Sequence, residues 1–176
     1  SGGWTPAVHL FTQSGGKLKF REDDQVFIPD KYPSDQISIG SCNGEFTLDE
    51  ILTDISKKLK DFLNIKKTDY ENLEIQSHLN KTKRNIWLLP SDKIIGKTKP
   101  FVDYQNDATA KDIKLALREG FRSIEHVKRY TTTGMGTDQG KLGNMHALGI
   151  ISETAGSKMG ELGTTTFRPP YTPLTF

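Results

Sequence analysis

Apolar residues recur at helical spacing between positions 47 and 63, and this periodicity constrains the fold more than any other feature of the chain. Thr47 and Glu50 stand at the spacing of a capping box, in which two side chains bond the first free N–H groups of a helix. We therefore predict an amphipathic helix over about residues 47–63. Its apolar face consists of Leu48, Ile51, Leu52, Ile55, Leu59, Phe62 and Leu63.

Short apolar runs separated by turn residues lie before this helix. They cover residues 7–11, 26–28 and 37–39, and each is followed within a few positions by glycine, proline or serine. This pattern is typical of short strands and loops. After the helix, residues 64–99 are polar and lysine-rich. We interpret this stretch as a linker or a hairpin.

The second half of the chain favours short helices joined by glycine-rich turns. Thr109 and Asp112 are spaced to cap a first helix. A second helix is predicted over residues 123–130. A third is predicted over residues 138–156, with Asp138 as its N-cap. The prolines that follow require an extended, semi-rigid connector at the end of the chain.

The charge balance argues against a nucleic-acid partner. The chain has 24 lysine and arginine residues against 22 acidic ones, and the two signs are interspersed. A hydrophobic content of 34% is low for a globular domain, which favours surfaces meant for a missing partner over long exposed linkers. No apolar run approaches the roughly 20 residues of a membrane span. We therefore expect neither nucleic acid nor a membrane as a partner.

Cysteine and histidine usage predicts no metal site. Cys42 is the single cysteine, which excludes an internal disulfide framework and fits a reducing cytoplasm. The four histidines lie far apart, without a carboxylate or thiol at ligand spacing. The first residues include no initiator methionine and no signal peptide, so we expect the chain to begin inside a longer protein or after trimming.

A first candidate binding turn lies just before the predicted helix at 47–63. A strand, a turn of small residues and a helix N-terminus in series can present backbone N–H groups to an anion such as a pyrophosphate. The alternative is a tight turn that needs glycine for its backbone angles alone. Its cysteine could be a nucleophile beside a helix N-terminus, or a small residue that fills the turn. The residues are Gly40, Ser41, Cys42, Asn43 and Gly44.

A second candidate turn follows the helix predicted at 123–130. Hydroxyls, exposed backbone and a lysine just inside a helix start can together hold a phosphate. A purely structural turn between two helices is the alternative. The candidate ligands are Thr131, Thr132, Thr133, Gly134, Met135 and Lys141.

Several segments in order resemble the alpha subunits of heterotetrameric sarcosine oxidases. They are Ser-Gly-Gly-Trp-Thr-Pro-Ala-Val-His-Leu at 1–10, the Gly-Ser-Cys-Asn-Gly turn, Phe-Val-Asp-Tyr-Gln-Asn-Asp at 101–107, Glu-His-Val-Lys-Arg-Tyr at 125–130, and residues 164–173. The resemblance implies an α+β fold, with short strands and one helix from the end of a dinucleotide-binding domain followed by a small helical domain.

The resemblance also implies the domain boundaries. Residues 1–63 would be the C-terminal part of a dinucleotide-binding domain of the NAD or FAD type, and 64–99 a linker or hairpin. Residues 100–156 would resemble the bacterioferritin-associated-ferredoxin type of [2Fe-2S] module. Residues 157–176 would be a proline-rich linker to an aminomethyltransferase-like domain.

The helical module departs from the pattern of its cluster-binding relatives. The four cysteine positions of that pattern read Asp103, Gln105, Thr133 and Asp138 in this chain. Because an iron–sulfur cluster needs thiolate ligands, we expect a module that keeps the scaffold and has no cluster.

The function implied by the resemblance is that of a flavoprotein oxidoreductase of one-carbon metabolism. The intact enzyme would demethylate sarcosine to glycine at FAD in the beta subunit, pass formaldehyde to tetrahydrofolate and reduce oxygen to hydrogen peroxide. This segment would help to form an NAD site and an FMN site at the interface with the beta subunit. It would assemble with beta, gamma and delta subunits in the cytoplasm and be inactive alone. The alternative is a non-catalytic module that holds the subunits together.

Overall fold

The computed structural model describes residues 4–33, 35–65, 85–89, 97–169 and 172. The architecture is α+β, as predicted. The chain divides between Asn85 and Ile86 into two compact units. Within the described residues, no helix is both long and apolar enough to cross a bilayer. The domain boundaries drawn from the resemblance stay predictions.

The first unit is built on a two-stranded antiparallel ribbon. Strands β1 (Lys17–Arg21) and β2 (Val26–Lys31) pair so that Phe20 lies opposite Phe27, with ring centroids 5.0 Å apart. Val26, Phe27 and Ile28 are buried and form part of the core of this unit together with Val8. The elements are α1 (His9–Gln13), β1 (Lys17–Arg21), β2 (Val26–Lys31), a 3-10 helix (Gly40–Asn43) and α2 (Leu48–Leu63).

The strand predicted at 7–11 is wrong, because this stretch starts helix α1. Val8 and Phe11 are buried while Leu10 is exposed, which is the spacing of a helix face rather than the alternation of a strand. The strand at 26–28 is confirmed as β2, whereas 37–39 forms no strand. The sequence analysis did not predict β1, the partner strand of β2, although its sequence Lys-Leu-Lys-Phe-Arg alternates polar and apolar residues.

Helix α2 confirms the strongest sequence signal. The Glu50 carboxylate accepts a hydrogen bond from the Thr47 backbone N–H at 3.4 Å, while the buried Thr47 hydroxyl makes no bond within the described part of the chain. The polar side of α2 holds the segment before it. Asp54 accepts from the Gly40 N–H at 3.2 Å, and the Lys58 ammonium donates to the Ser38 carbonyl at 2.9 Å.

The second unit packs its helices around one apolar core. Helix α3 (Ala110–Arg118) contacts both α4 (Ile124–Thr131) and α5 (Asn144–Ala155). The buried side chains at this core include Ile113, Ala116, Leu117, Val127, Leu148, Ile150 and Ile151. The elements are β3 (Phe101–Asp103), β4 (Ala108–Thr109), α3 (Ala110–Arg118), α4 (Ile124–Thr131), α5 (Asn144–Ala155) and α6 (Met159–Leu162).

The second unit confirms the predicted helices but moves one boundary. The Thr109 N–H donates to Asp112 at 2.8 Å, so the predicted cap of α3 is present. Helix α5 begins at Asn144 rather than next to Asp138. The Asp138 carboxylate accepts from the N–H groups of Gly140 and Leu142, and the left-handed φ of Gly140 makes this stretch a turn. The β3–β4 ribbon and α6 add to the predicted helices.

Most of the predicted linker at 64–99 lies outside the described residues. Within 85–89, the ring of Trp87 meets the His146 ring edge-on at a centroid distance of 6.1 Å. The same indole covers Gly149, where a Cβ atom would collide with it. This part of the predicted linker is therefore packed against α5.

Candidate functional site

The Asp103 carboxylate joins two loops of the second unit. It is buried at the end of β3, and its Oδ2 accepts from the Gly134 N–H at 2.7 Å. Its Oδ1 accepts from the N–H groups of Gln105 and Asn106 at 2.9 and 3.2 Å. A buried carboxylate that accepts several backbone N–H groups is held firmly in one position. The loop after β3 is therefore fixed to the loop after α4.

Gln105 makes a second connection between the same loops. Its Oε1 accepts from the Thr137 hydroxyl at 3.1 Å and lies 3.5 Å from the Asp138 backbone nitrogen. The structure thus brings the two pairs of predicted cluster positions onto loops that bond each other. Among the described residues, no group of three or more His, Cys, Asp or Glu side chains could hold a metal ion. The expectation of no cluster stays a prediction that rests on residue type.

The threonine hydroxyls of the second candidate turn are engaged within the protein. The Thr131 hydroxyl donates to the Val127 carbonyl at 2.8 Å and lies 2.8 Å from the Thr133 hydroxyl. Because Thr131 uses its proton on Val127, the Thr133 hydroxyl is the donor in that pair. The Thr132 hydroxyl donates to the Thr131 carbonyl at 2.6 Å. These hydroxyls therefore shape the turn.

The Asn144 side chain packs against two glycines of the loop between α4 and α5. Gly134 and Gly140 both have left-handed φ angles, and a Cβ atom at either would collide with the Asn144 amide. That amide donates to the Thr165 hydroxyl at 2.7 Å. Asn144 therefore packs between the loop that precedes α5 and the segment 165–168, which we call the strap.

A basic pocket of about 380 Å³ opens beside this turn. Three of its lining side chains are cationic and one is acidic, which gives a formal charge of +2 when all four are ionised. Guanidinium and ammonium groups are the side chains that bind carboxylates and phosphates. The pocket is lined by Glu125, Lys128, Arg129, Met135, Gln139 and Arg168.

The strap is attached to helix α4 at its backbone. The Thr166 N–H donates to the Glu125 Oε1 at 2.6 Å, and the Thr166 carbonyl accepts from the Lys128 ammonium at 3.4 Å. Phe167 is buried. These contacts bring Arg168 to the pocket, although it lies about 40 residues after α4 in the sequence.

Lys128 is a buried cation, with 8% of its surface exposed. Burial lowers the pKa of its ammonium group below the ordinary lysine value, Arg168 and Arg129 lower the pKa further, and Glu125 opposes the shift. A bound anion would raise the pKa of Lys128 again, because a nearby negative charge favours the charged ammonium group. The chemistry of the pocket is therefore that of an anion site.

The structure divides the predicted ligands of this site. Met135 lines the pocket, whereas Thr131, Thr132, Thr133 and Gly134 form the turn beside it. Lys141 was predicted just inside a helix start, which is wrong, because α5 begins three residues later. The sequence analysis did not single out the three cations that line the pocket, Lys128, Arg129 and Arg168. The basic pair in the last turn of α4, next to the threonines, was the available signal.

The other candidate turn, residues 40–44, lies in the first unit and consists of the 3-10 helix (Gly40–Asn43) and its left-handed C-cap, Gly44. The Gly40 N–H donates to Asp54, and the Gly44 N–H donates to the Ser41 carbonyl at 3.2 Å. The Cys42 thiol lies 3.2 Å from the Ile39 carbonyl. Helix α2 carries two carboxylates in its first turn, which disfavour an anion there. Ser41 is exposed.

The fold is similar to that of a solved oxidoreductase. A chain of L-proline dehydrogenase from P. horikoshii superposes with a TM-score of 0.61 and 20% sequence identity, over 98% of this chain and 36% of that one. At this identity the similarity shows the fold alone. The chain thus shares its architecture with part of an amino-acid dehydrogenase.

Sequence comparison gives the family. The sarcosine oxidase A3 domain family matches residues 97–176. The sarcosine oxidase subunit alpha of Rhizobium meliloti (strain 1021) is 36% identical over 187 residues, with 100% of this chain and 18% of the relative covered. That of Corynebacterium sp. (strain P-1) is 34% identical over 183 residues, with 100% and 19% covered. The chain belongs to the sarcosine oxidase alpha-subunit family, and it spans about a fifth of the length of these curated relatives.

The role of Asp103 can be tested by hydrogen exchange in the full-length chain. Asp103→Ala leaves the Gly134 N–H without its acceptor, so protection of the peptides covering residues 132–143 should fall by about tenfold or more. Glu153→Ala, at an exposed position on α5, is the matched control and should leave that protection unchanged. Equal protection in both variants would contradict the assignment.

Proposed function

We propose that this chain is part of a multi-subunit sarcosine oxidase and that its basic pocket holds the phosphate of FMN at the interface with the beta subunit. The enzyme would demethylate sarcosine oxidatively to glycine, with oxygen as acceptor, in the cytoplasm. FAD and tetrahydrofolate would bind elsewhere in a complex that also includes gamma and delta subunits. The observation that carries the proposal is the pocket with three cations beside the threonine turn, within the segment 97–176 that matches the family.

The residues of the pocket fit a phosphate monoester. A flavin phosphate carries about two negative charges at neutral pH, which matches the formal charge of the pocket. Arg129 and Arg168 offer planar forks of donors, and Lys128 offers a buried point charge. The volume of about 380 Å³ leaves room for more than a phosphate group. Bound FMN would supply one-electron and two-electron transfer, and these side chains would bind and orient its phosphate.

The threonine turn has a different part in this proposal from the one predicted for its hydroxyls. Thr131 and Thr133 bond each other and the end of α4, so they set the shape of the turn that carries Met135 into the pocket wall. The backbone of Gly134 is fixed by Asp103. The turn therefore works as a rigid wall, and the cations supply the attraction for the anion.

The proposal for NAD rests on the turn at 40–44 in the first unit. Two of its N–H groups are already bonded within the protein, and acidic residues follow it at the start of α2. These features fit a neutral part of the nucleotide better than its pyrophosphate. Small side chains, including Cys42 and Asn43, would let the nucleotide approach the backbone closely.

A scaffold role is the second candidate function. Tyr104 and Leu142, on the two bonded loops, are 77% and 79% exposed, which is typical of side chains that a partner covers. Variants of the pocket separate the two roles. A scaffold loses assembly of the complex before it loses FMN, whereas a flavin site loses FMN from complexes that still assemble.

The pocket assignment predicts a loss of FMN in Arg129→Ala. In the complex purified after co-expression with its partner subunits, the ratio of FMN to protein should fall about tenfold at limiting FMN, because a charge-assisted contact is removed. Lys141→Ala tests the sequence-based assignment of Lys141 in the same assay. FMN content equal to that of the unmodified complex in Arg129→Ala would refute the pocket, and in Lys141→Ala it would remove that residue from the site.

The affinity for FMN should fall as the pH rises. Only protonated Lys128 attracts the phosphate, and its lowered pKa makes it lose that proton at a lower pH than an ordinary lysine. FMN titrations from about pH 7 to about pH 10 lie above the phosphate pKa and cover the lysine window. The Lys128→Met complex should bind FMN weakly, with an affinity that does not change with pH over this range. Lys128→Arg should remove the decline, since arginine stays protonated; a decline of the same size in Lys128→Met would contradict this role.

The NAD proposal predicts a selective effect of Ser41→Trp. Ser41 is exposed, so a large side chain there should leave the fold intact while it fills the space in front of the turn. NAD released from the denatured complex should drop several-fold, with FMN content unchanged. Unchanged NAD content would place the nucleotide elsewhere.

A further inference from the structure

Glu125 places a negative charge in a pocket whose other ionisable lining residues are positive. It is the one acidic side chain among the described residues that line the basic pocket. Coulomb's law alone says that a carboxylate beside an anion site weakens binding. A residue that lowers the attraction of its own site needs another role, and the contacts of its two oxygens point to one.

The two carboxylate oxygens of Glu125 hold two different elements. Oε2 lies 3.1 Å from the Arg129 guanidinium, one helical turn further along α4. That guanidinium also donates to the Glu125 carbonyl at 3.0 Å. Oε1 accepts from the Thr166 N–H at 2.6 Å, a short bond to a charged acceptor. One side chain thus fixes an arginine on α4 and the backbone of the strap.

The bond to Thr166 also determines where Arg168 lies. The strap is anchored at Thr165 by Asn144 and at Thr166 by Glu125 and Lys128. Its next residue, Phe167, is buried. With three successive residues held, little freedom is left in the backbone that leads to Arg168. Glu125 therefore acts on both arginines of the pocket.

We propose that Glu125 is the positioning residue of the basic pocket, which sets Arg129 directly and Arg168 through the strap before the anion binds. The inference rests on the proposed phosphate site. Two long cationic side chains lose rotamer freedom when they bind an anion, and ordering them beforehand removes part of that cost. Preorganisation then outweighs the repulsion between Glu125 and the anion.

Electrostatics and preorganisation predict opposite signs for Glu125→Ala. If charge alone mattered, loss of the carboxylate would make the pocket more positive and FMN would bind more tightly. If Glu125 positions the arginines, FMN should bind about tenfold more weakly. Glu125→Gln keeps an oxygen that can accept from the Thr166 N–H but loses the ion pair to Arg129. Its affinity for FMN should therefore lie between that of the unmodified complex and that of Glu125→Ala. Glu153→Gln, an exposed change of the same charge on α5, should bind FMN like the unmodified complex.

The experiment compares FMN with riboflavin, which has the same ring and no phosphate, in the complete complex after its flavin has been removed. Positioning of phosphate ligands predicts weaker FMN binding and unchanged riboflavin binding in Glu125→Ala. Hydrogen exchange of the peptide containing residues 165–168 should rise in Glu125→Ala and stay lower in Glu125→Gln.

Three results would overturn the positioning role: unchanged FMN binding, tighter FMN binding, or equal loss of FMN and riboflavin in Glu125→Ala. The last of these would show a general loss of structure. Arg129→Ala separates the inference from the proposed function. If Arg129→Ala loses FMN selectively while Glu125→Ala does not, only the positioning role fails. If neither variant changes the preference for FMN over riboflavin, the phosphate site itself fails.

Discussion

The bond between the buried Asp103 carboxylate and the Gly134 N–H is the contact on which the second unit's site depends. It fixes the turn after α4, whose left-handed Gly134 lies against the Asn144 amide. Asn144 in turn anchors the strap at Thr165. The position of Arg168 at the pocket therefore follows from a chain of contacts that begins at the end of β3. Each of these contacts is a hydrogen bond or a close approach that only glycine permits. A few contacts therefore hold the turn and the strap rigidly in place.

Burial of Lys128 opposes the stability of the pocket and serves the proposed binding. Desolvation and two nearby arginines disfavour its charged form, and Glu125 compensates only in part. If no anion bound here, an apolar side chain in place of Lys128 would make the folded protein more stable, because burying a cation costs free energy. The cation cluster becomes favourable when an anion is bound. A site with unfavourable electrostatics in isolation is thus better explained by a ligand than by folding.

Local signals predicted what local chemistry determines. The caps of α2 and α3 and the apolar face of α2 follow from residues within one or two turns, and the structure confirms those helices. Helix α1 was missed because five residues are too few to separate helical spacing from strand alternation. The pocket was missed for a different reason. Arg168 joins Lys128 and Arg129 through bonds that span about 40 residues, and no periodicity in the sequence records such a contact.

The family resemblance implies that polar residues replace cluster cysteines in these loops, and such a replacement would let the loops serve a different ligand. Four thiolates on iron would cross-link the loops, and here Asp103 and Gln105 join them by hydrogen bonds to the Gly134 backbone and the Thr137 hydroxyl. Hydrogen bonds are weaker than metal bonds but are also directional, so these contacts can keep the two loops close together without a metal. One lysine and one arginine on α4, together with Arg168 of the strap, would then be enough to attract a phosphate. Asp103 and Gln105 thus hold the turn in place, and the positive charge that would attract the ligand comes from other residues, Lys128, Arg129 and Arg168.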